Sequence, residues 1–215
     1  MTQRTFTDAD LARMAAATAA SDPVPEAERK AYAPAARALL AALADGRPAT
    51  VEELAAAAGV TPDEVTAALR AVNGVEWDAG GRVTGYGMTL NPTPHRVETG
   101  GHRRYAWCAA DALGMLPAIG RTVRISSECP ETGRTVTVTA GPEGVRDVHP
   151  AGAVVSAIII GDPADMRGSA CDLGHFFASA EAAAGWASEH PDGVLLTVPD
   201  AFHYARSLMR LFLDG

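Results

Sequence analysis

The stretch RRYAWCAADALG, residues 103–114, places a cysteine and an acid three residues apart at the start of an apolar segment. If the residues after Trp107 form a helix, Cys108 lies in its first turn and Asp111 lies on the same face. The macrodipole and free amides of a helix N-terminus favour a thiolate. The carboxylate opposes that charge but can take the thiol's proton, and apolar surroundings raise its pKa. We interpret the pair either as a nucleophile with a proton carrier, or as a small core cysteine beside a solvated acid.

The chain has two further cysteines, Cys129 in SSEC and Cys171 in GSACDLGHFF. Three widely spaced cysteines without a CxxC pair argue against a zinc ribbon or a thioredoxin-type site and predict reduced thiols in the cytoplasm. We place Cys171 at the start of an aromatic strand. A paired-thiol site that joins Cys108 and Cys171 is one hypothesis; three structural cysteines are the other.

Other catalytic and cofactor motifs are scarce in the sequence. The glycines of GYGMTLNPTPHRVETGG form neither a dinucleotide fingerprint nor a P-loop, and no G-x-S-x-G elbow occurs. The histidines show no H-E-x-x-H or similar metal-ligand spacing, so packed or surface positions are the better interpretation. They are His95, His102, His149, His175, His190 and His203. We therefore predict no organic cofactor and no resident metal.

The composition of the 215 residues limits the class of protein and its partners. A hydrophobic fraction of 47% is that of a globular protein, and the formal charge of −8 argues against nucleic acid as the main partner. The first residues carry acids where a secretory signal has an apolar core. No apolar run reaches about 18 residues, so no membrane span is expected.

Residues 1–86 predict a helical module that resembles a winged helix-turn-helix. Helices are expected in TFTDADLARMAAATA and in the segment that ends at Gly46, with an interruption or kink at Pro34. A helix-turn-helix follows in ATVEELAAAAGVTPDEVTAALRAV, and VEWDAGGRVTGYG predicts a hairpin wing. The module carries eight basic and twelve acidic residues. Because Asp63 and Glu64 begin the would-be recognition helix, DNA binding is not favoured.

Residues 87–215 predict an α+β catalytic domain with mainly antiparallel strands, which carries the cysteines. RTVRISSECPETGRTVTVTAGPEG reads as a hairpin, and GAVVSAIIIG reads as a strand buried on both faces. CDLGHFFAS and GVLLTV are further strand candidates. Helical spacing of apolar residues predicts helices in AEAAAGWASEH and DAFHYARSLMRLFL. The whole chain is therefore expected to be α+β, with the winged-helix-like module first.

Three stretches resemble the bacterial organomercurial lyases, also called alkylmercury lyases: GMTLNPTPHRVE, YAWCAADALGMLPAIGRTVRISSECPETG and ADMRGSACDLGHFFAS. The resemblance implies cleavage of a carbon–mercury bond to a hydrocarbon and Hg(II) without an organic cofactor. It implies that Cys108 and Cys171 are the thiol ligands, that Asp111 shuttles the proton and joins them in holding mercury transiently, and that Cys129 is structural. Asp172 stands where many members of the family have another cysteine, which could alter the pKa of Cys171 or the preference for substrate.

Mercury is a soft metal that prefers thiolate ligands, so the chemistry of the residues agrees with this resemblance. An aromatic pocket of Trp107, Phe176 and Phe177 would admit the organic group, although plain core packing explains these side chains equally well. The expected partners are small organomercurials, with small thiols or a mercuric reductase receiving Hg(II). Two alternatives stay open: a thiol-based, metal-responsive winged-helix regulator, and a family member that acts on another organometal.

Overall fold

The computed structural model describes residues 26–72, 74–159 and 165–213, with isolated positions before residue 26. The helix expected in TFTDADLARMAAATA falls largely outside the described residues. Three helices open the described chain: α1 (Glu26–Ala44), α2 (Val51–Ala58) and α3 (Pro62–Ala71). Helix α1 runs through Pro34 as a single helix, so the expected interruption is wrong. Burial of residues on both sides of the proline, including Ala33, Ala35 and Leu39, offsets the lost backbone hydrogen bond.

The helix-turn-helix forms as its sequence signals predict. Thr50 and Glu53 cap α2 reciprocally, and Thr61 and Glu64 do the same for α3. Between the helices Gly59 adopts the left-handed conformation, with φ of 69°, that a side chain would disfavour. Each box satisfies two backbone amides at the start of a short helix.

An eight-stranded antiparallel sheet has the order β1-β2-β3-β5-β4-β6-β7-β8. Its strands are β1 (Glu76–Trp77), β2 (Val83–Tyr86), β3 (Met88–Thr89), β4 (His95–Thr99), β5 (His102–Ala106), β6 (Val123–Glu128), β7 (Thr135–Gly141) and β8 (Gly144–His149). The predicted wing is the β1–β2 hairpin, and the PETG hairpin joins β6 to β7. Because β3 pairs with both β2 and β5, the wing continues directly into the sheet of the second half.

A second sheet of three antiparallel strands has the order β10-β9-β11. Strand β9 (Val154–Ala157) lies between β10 (Phe176–Phe177) and β11 (Val194–Thr197), and all four of its residues are buried. The prediction of a doubly buried strand in GAVVSAIIIG is thereby confirmed. The remaining helices are α4 (Ala109–Ala118), α5 (Met166–Ser169), α6 (Ala184–Glu189) and α7 (Val198–Leu213), with a 3-10 turn at Cys171–Leu173.

Helix α4 forms the centre of the core. It packs against α7 at Gly114, where an added Cβ would lie 2.8 Å from the Cβ of Ala205. Arg104 of β5 donates to the carbonyls of Leu43 and Ala44 at 2.6 and 3.1 Å and so closes the end of α1 against the sheet. One hydrophobic cluster includes residues from both predicted parts of the chain. The fold is α+β, as predicted, and the boundary between residues 86 and 87 stays a prediction.

No helix among the described residues is both long enough and apolar enough to span a bilayer.

Candidate functional site

Cys108 lies where strand β5 gives way to helix α4. It is the N-cap of α4, one residue before the first helical position, with extended φ and ψ of −140° and 173°. Its Sγ accepts a hydrogen bond from the backbone N–H of Asp111 at 3.3 Å. The thiol thus takes the role that a serine or aspartate oxygen has at most helix starts. The expected position at the start of a helix is confirmed.

The structure brings Cys108, Asp111 and Cys171 together. Their two Sγ atoms and a carboxylate oxygen all lie within 4.8 Å of one another. Cys108 is buried, whereas Asp111 and Cys171 are half-buried. Such a set of two thiols and one acid suits a thiophilic metal. We call these three residues the thiol–acid cluster.

Cys171 reaches the cluster from a 3-10 turn, and not from the start of an aromatic strand as we expected. Strand β10 begins only at Phe176. Gly174 explains the difference, because its carbonyl accepts from the Ala109 N–H at 2.9 Å and its Cα lies directly against Cys108. An added Cβ there would lie 3.0 Å from the Cβ of Cys108. The chain therefore turns beside the start of α4 before it enters the strand.

The Cys108 thiol is held in its neutral form. A hydrogen bond with Cys171, burial and the negative charge of Asp111 together raise its pKa well above the ordinary value. The hydrogen bond from the Asp111 amide acts in the opposite direction and is outweighed. The two expected effects are both present: the amide at the helix N-terminus favours the thiolate and the Asp111 carboxylate opposes it, and burial with the Cys171 hydrogen bond decides for the neutral thiol.

Asp111 is the residue whose titration is moved into the neutral range. Burial raises the pKa of its carboxyl from 3.8 to about 6, although the hydrogen bonds with Cys108 oppose the rise. Its Oδ2 is sealed from solvent and has no hydrogen-bond partner among the described residues. The side chain of Met115 packs beside it, in the space that a Cβ on Gly87 would fill. The predicted rise in pKa is confirmed, and an acid of this kind can both accept and give a proton.

The three aromatic pocket candidates occupy different surroundings. Trp107 is 7% exposed and meets Tyr86 edge to face, with ring centroids 5.8 Å apart. Phe176 and Phe177 are buried in β10, where their rings approach His95 and His175 respectively. These contacts are those of core residues. A wall for the organic group stays a prediction at all three positions.

Cys129 lies apart from the thiol–acid cluster, at the turn between β6 and β7, and is 1% exposed. Burial alone would raise its pKa, but hydrogen bonds from Thr132 and from the backbone of Ala178 and Glu131 lower it. The thiol therefore joins the hairpin turn to the residue that follows β10. This arrangement supports the structural assignment that the resemblance implied.

Sequence reasoning missed four residues that shape the site. Gly87 and Gly174 provide the close approaches described above, and Glu76 and Arg167 lie beside Trp107. The glycines in GYG and DLGH indicate a turn or a close backbone approach, but the sequence does not identify the neighbouring group. The charged pair left none, because its members are 91 residues apart.

A cleft of about 500 Å³ lies elsewhere on the surface. It is lined by residues 98–103 and 122–124 and by Thr139, and none of these belongs to the thiol–acid cluster. The cluster itself is compact, and it is the chemistry of its three donors that marks it as the candidate site.

An α+β fold that places a buried thiol and a half-buried thiol beside a carboxylic acid defines a protein equipped to hold a soft metal. The family model described as alkylmercury lyase matches residues 88–210, and the model described as the helix-turn-helix domain of alkylmercury lyase matches residues 20–87. The chain belongs to the alkylmercury lyase family.

Sequences of bacterial alkylmercury lyases align with most of this chain. It is 45% identical to the alkylmercury lyase of Streptomyces lividans over 179 residues, which is 83% of each chain. It is 47% identical to that of Staphylococcus epidermidis over 173 residues, 80% of each chain. A solved structure described as the mercury-bound form of MerB2 has a TM-score of 0.75 at 25% identity and covers 95% of this chain and 100% of its own. The predicted family, enzyme class and activity on organomercurials are confirmed, and the regulator alternative is not favoured.

Proposed function

We propose that the thiol–acid cluster carries out the protonolysis of the carbon–mercury bond, with Cys108 and Cys171 as mercury ligands and Asp111 as the proton shuttle. The observation that carries this assignment is the placement of both Sγ atoms and a carboxylate oxygen within 4.8 Å. The mercury-bound state of the solved relative supports it.

Capture of the substrate comes first. An organomercurial R–Hg–X exchanges X for the sulfur of Cys108, and the thiol proton leaves with X as HX. Sulfur is the ligand that mercury prefers, so the exchange is favourable even though the Cys108 pKa is raised. Because the Cys108 thiol is held neutral, no buried thiolate at that position needs to be stabilised before the substrate arrives.

Cleavage then uses the second thiol and the acid together. Asp111 takes the proton of Cys171, and the sulfur of Cys171 adds to mercury while that proton moves from the carboxyl group to carbon. The carbon–mercury bond breaks, the hydrocarbon R–H leaves, and Hg(II) stays between two thiolates. Asp111 ends ionised, as it began. A carboxyl group with a pKa of about 6 is suited to both transfers near neutral pH.

The remaining assignments belong to the same proposal. The reaction uses no organic cofactor, since thiols and a carboxyl group supply every step. Small thiols, or a mercuric reductase, receive Hg(II) by exchange at the two sulfurs. Three free cysteines support a reducing, cytoplasmic setting.

The helix-turn-helix module is proposed to serve the enzyme and not DNA. Asp63 and Glu64 are exposed in the first turn of α3, where a recognition helix would meet phosphates and bases. Titration of the full chain against duplex DNA at low salt should give no salt-sensitive complex. A complex that weakens steeply with added salt would contradict this assignment.

The direct test of function is incubation of the protein with phenylmercury and excess small thiol, followed by gas chromatography for benzene. Stoichiometric benzene from the wild-type chain, and none from thiol alone, is the expected result. A folded protein that binds phenylmercury but releases no benzene would refute the proposed reaction.

A further inference from the structure

The carboxylate of Glu76 lies outside the thiol–acid cluster but is surrounded by donors that the proposed reaction does not use. Glu76 belongs to strand β1 of the wing, and its side chain is only 14% exposed. Its Oε1 accepts from Trp107 Nε1 at 2.9 Å and from Arg167 Nη1 at 2.8 Å. Its Oε2 accepts from the Asn91 amide at 2.6 Å and from the Thr89 hydroxyl. Both carboxylate oxygens therefore face donors only.

Two of these donors belong to the segments that carry the thiols. Trp107 directly precedes Cys108, and Arg167 lies four residues before Cys171. The Arg167 guanidinium also stacks over the Trp107 ring at 4.6 Å from its centroid. The Glu76 carboxylate thus meets both segments at one atom, Oε1.

The segment of Cys171 needs anchors on both sides because it consists of short elements. On its C-terminal side the Ser156 hydroxyl donates to the Leu173 carbonyl at 2.8 Å and accepts from the His175 N–H at 2.9 Å. On its N-terminal side the corresponding anchor is Arg167, held by Glu76. The Arg167 Nε also lies 3.8 Å from the carboxylate of Asp172.

The charge state of Glu76 fits an anchor. Burial alone would raise the pKa of its carboxyl, but the hydrogen bonds from Thr89, Asn91, Trp107 and Arg167 outweigh it and lower the pKa. Glu76 is therefore ionised at neutral pH, and its bond to Arg167 is a charge-assisted, partly buried pair.

We propose that Glu76 is a positioning residue for the lyase reaction: the wing of the helix-turn-helix module fixes Cys108 and Cys171 at the separation that cleavage requires, through Trp107 and Arg167. The proposal rests on the proposed function of the two thiols. It also gives the module a role inside the enzyme. Capture needs one thiol and does not depend on this alignment, whereas cleavage needs both.

Glu76→Gln is the sharpest probe. Glutamine keeps the shape but must turn its NH₂ group toward one pair of donors, so one set of hydrogen bonds is lost. In single-turnover experiments with phenylmercury, capture followed by intact-protein mass spectrometry should be unchanged. The first-order release of benzene should fall by about 10- to 100-fold, the cost of a displacement of about 1 Å.

Asp78→Asn is the matched control, two residues away in the same hairpin. The Asp78 carboxylate accepts from the Gly80 and Arg82 amides and pairs with the Arg82 side chain, so its loss weakens the wing without touching the Glu76 contacts. Its benzene release should match that of the wild type. If Asp78→Asn slows release as much as Glu76→Gln does, the effect is general loss of stability and the proposal is wrong.

The Arg167 side supplies an independent variant should Glu76→Gln fold poorly. Arg167→Gln removes a side chain that is 31% exposed and should reproduce the slow release. The double variant should lose no more than the worse single variant, because the two residues act through one contact. Additive losses, or release at the wild-type rate from either single variant, would overturn the proposal.

A second readout does not depend on turnover. Phenylarsine oxide joins two thiols through one arsenic with loss of water, so its binding reports whether Cys108 and Cys171 are aligned. Glu76→Gln should bind phenylarsine oxide at least about tenfold more weakly than the wild type and Asp78→Asn do, because its two thiols are no longer held in alignment before binding. Equal binding by all three proteins would refute the positioning role. If Glu76→Gln binds phenylarsine oxide more weakly than the wild type does, but the wild type releases no benzene from phenylmercury, only the proposed reaction is refuted.

Discussion

The backbone N–H of Asp111 donates to the Sγ of Cys108 at 3.3 Å, while the carboxylate of the same residue lies within 4.8 Å of that sulfur. One residue therefore orients the thiol through its main chain and presents an acid to it through its side chain. This is possible because the third residue of a helix faces the N-cap. The geometry that caps α4 is also the geometry that pairs nucleophile and proton carrier.

Serine at either cluster cysteine should abolish turnover while the fold persists. Cys108→Ser and Cys171→Ser each replace a soft sulfur with a hard oxygen that binds mercury poorly. Benzene release should fall by about 10³-fold or more, the scale of losing a reacting group. Circular dichroism should match that of the wild type. Release near the wild-type rate by either variant would remove that residue from the mechanism.

The free energy of unfolding of the wild type should depend on pH through Asp111, and this dependence should be absent from the Asp111→Asn variant. The folded-state pKa of Asp111, about 6, lies above the ordinary 3.8, so the folded state binds the proton more tightly than the unfolded state does. This contribution to stability is complete below about pH 4 and is lost as pH rises through about 6. The wild type should lose about 2–3 kcal/mol relative to Asp111→Asn over that window.

Urea unfolding of both proteins between pH 4 and pH 7.5 measures this difference. The comparison of two proteins cancels the titration of all other groups and any constant cost of the asparagine amide. A difference that stays level with pH would mean that Asp111 titrates at its ordinary value. It would also remove the physical reason for assigning the shuttle to this residue.

The local part of the site could be read from the sequence, and the distant part could not. Cys108 and Asp111 lie one helical turn apart, so their proximity follows from helix geometry alone. Cys171 was assigned to the site only through the family resemblance. Its 3-10 turn was not predicted, because the contact of Gly174 with Cys108 is not visible in the sequence. The hairpins and the helix-turn-helix were predicted because each is decided within a few residues.

The contacts of Glu76 show why the rest of the site escaped prediction. Its partners Trp107 and Arg167 lie 31 and 91 residues away. Nothing in VEW distinguishes a carboxylate that anchors two segments from one that faces solvent. The pairing of the wing with the main sheet brings Glu76 beside Trp107, and Arg167 reaches the same carboxylate from helix α5.

Cys129→Ser should reduce stability more than turnover. The buried thiol accepts several hydrogen bonds at the β6–β7 turn, and the smaller serine oxygen on its shorter bond cannot reach all of them. We expect a loss of about 1–3 kcal/mol in the free energy of unfolding. Benzene release per folded molecule should match that of the wild type. A stable but inactive Cys129→Ser protein would overturn the structural assignment.

Asp111→Asn should separate capture of the substrate from its cleavage. Asparagine keeps the shape of the side chain and the backbone hydrogen bond to Cys108, so the thiols still bind R–Hg. It has no acidic proton to move from Cys171 to carbon, and release of the hydrocarbon should slow by about 10²- to 10⁴-fold, the range of general acid catalysis. Intact-protein mass spectrometry measures the R–Hg adduct, and gas chromatography measures benzene from the same sample.

The outcome that would contradict the shuttle is benzene release by Asp111→Asn at the wild-type rate. Asp172 is the first alternative donor, because it adjoins Cys171, and Asp172→Asn in both backgrounds resolves the two acids. Asp172 lies near Arg167, with its carboxylate 3.8 Å from the guanidinium Nε, and its side chain is 59% exposed. Its carboxylate is not among the three groups whose ligand atoms lie within 4.8 Å of one another. We therefore expect Asp172→Asn alone to release benzene close to the wild-type rate and the double variant to match Asp111→Asn.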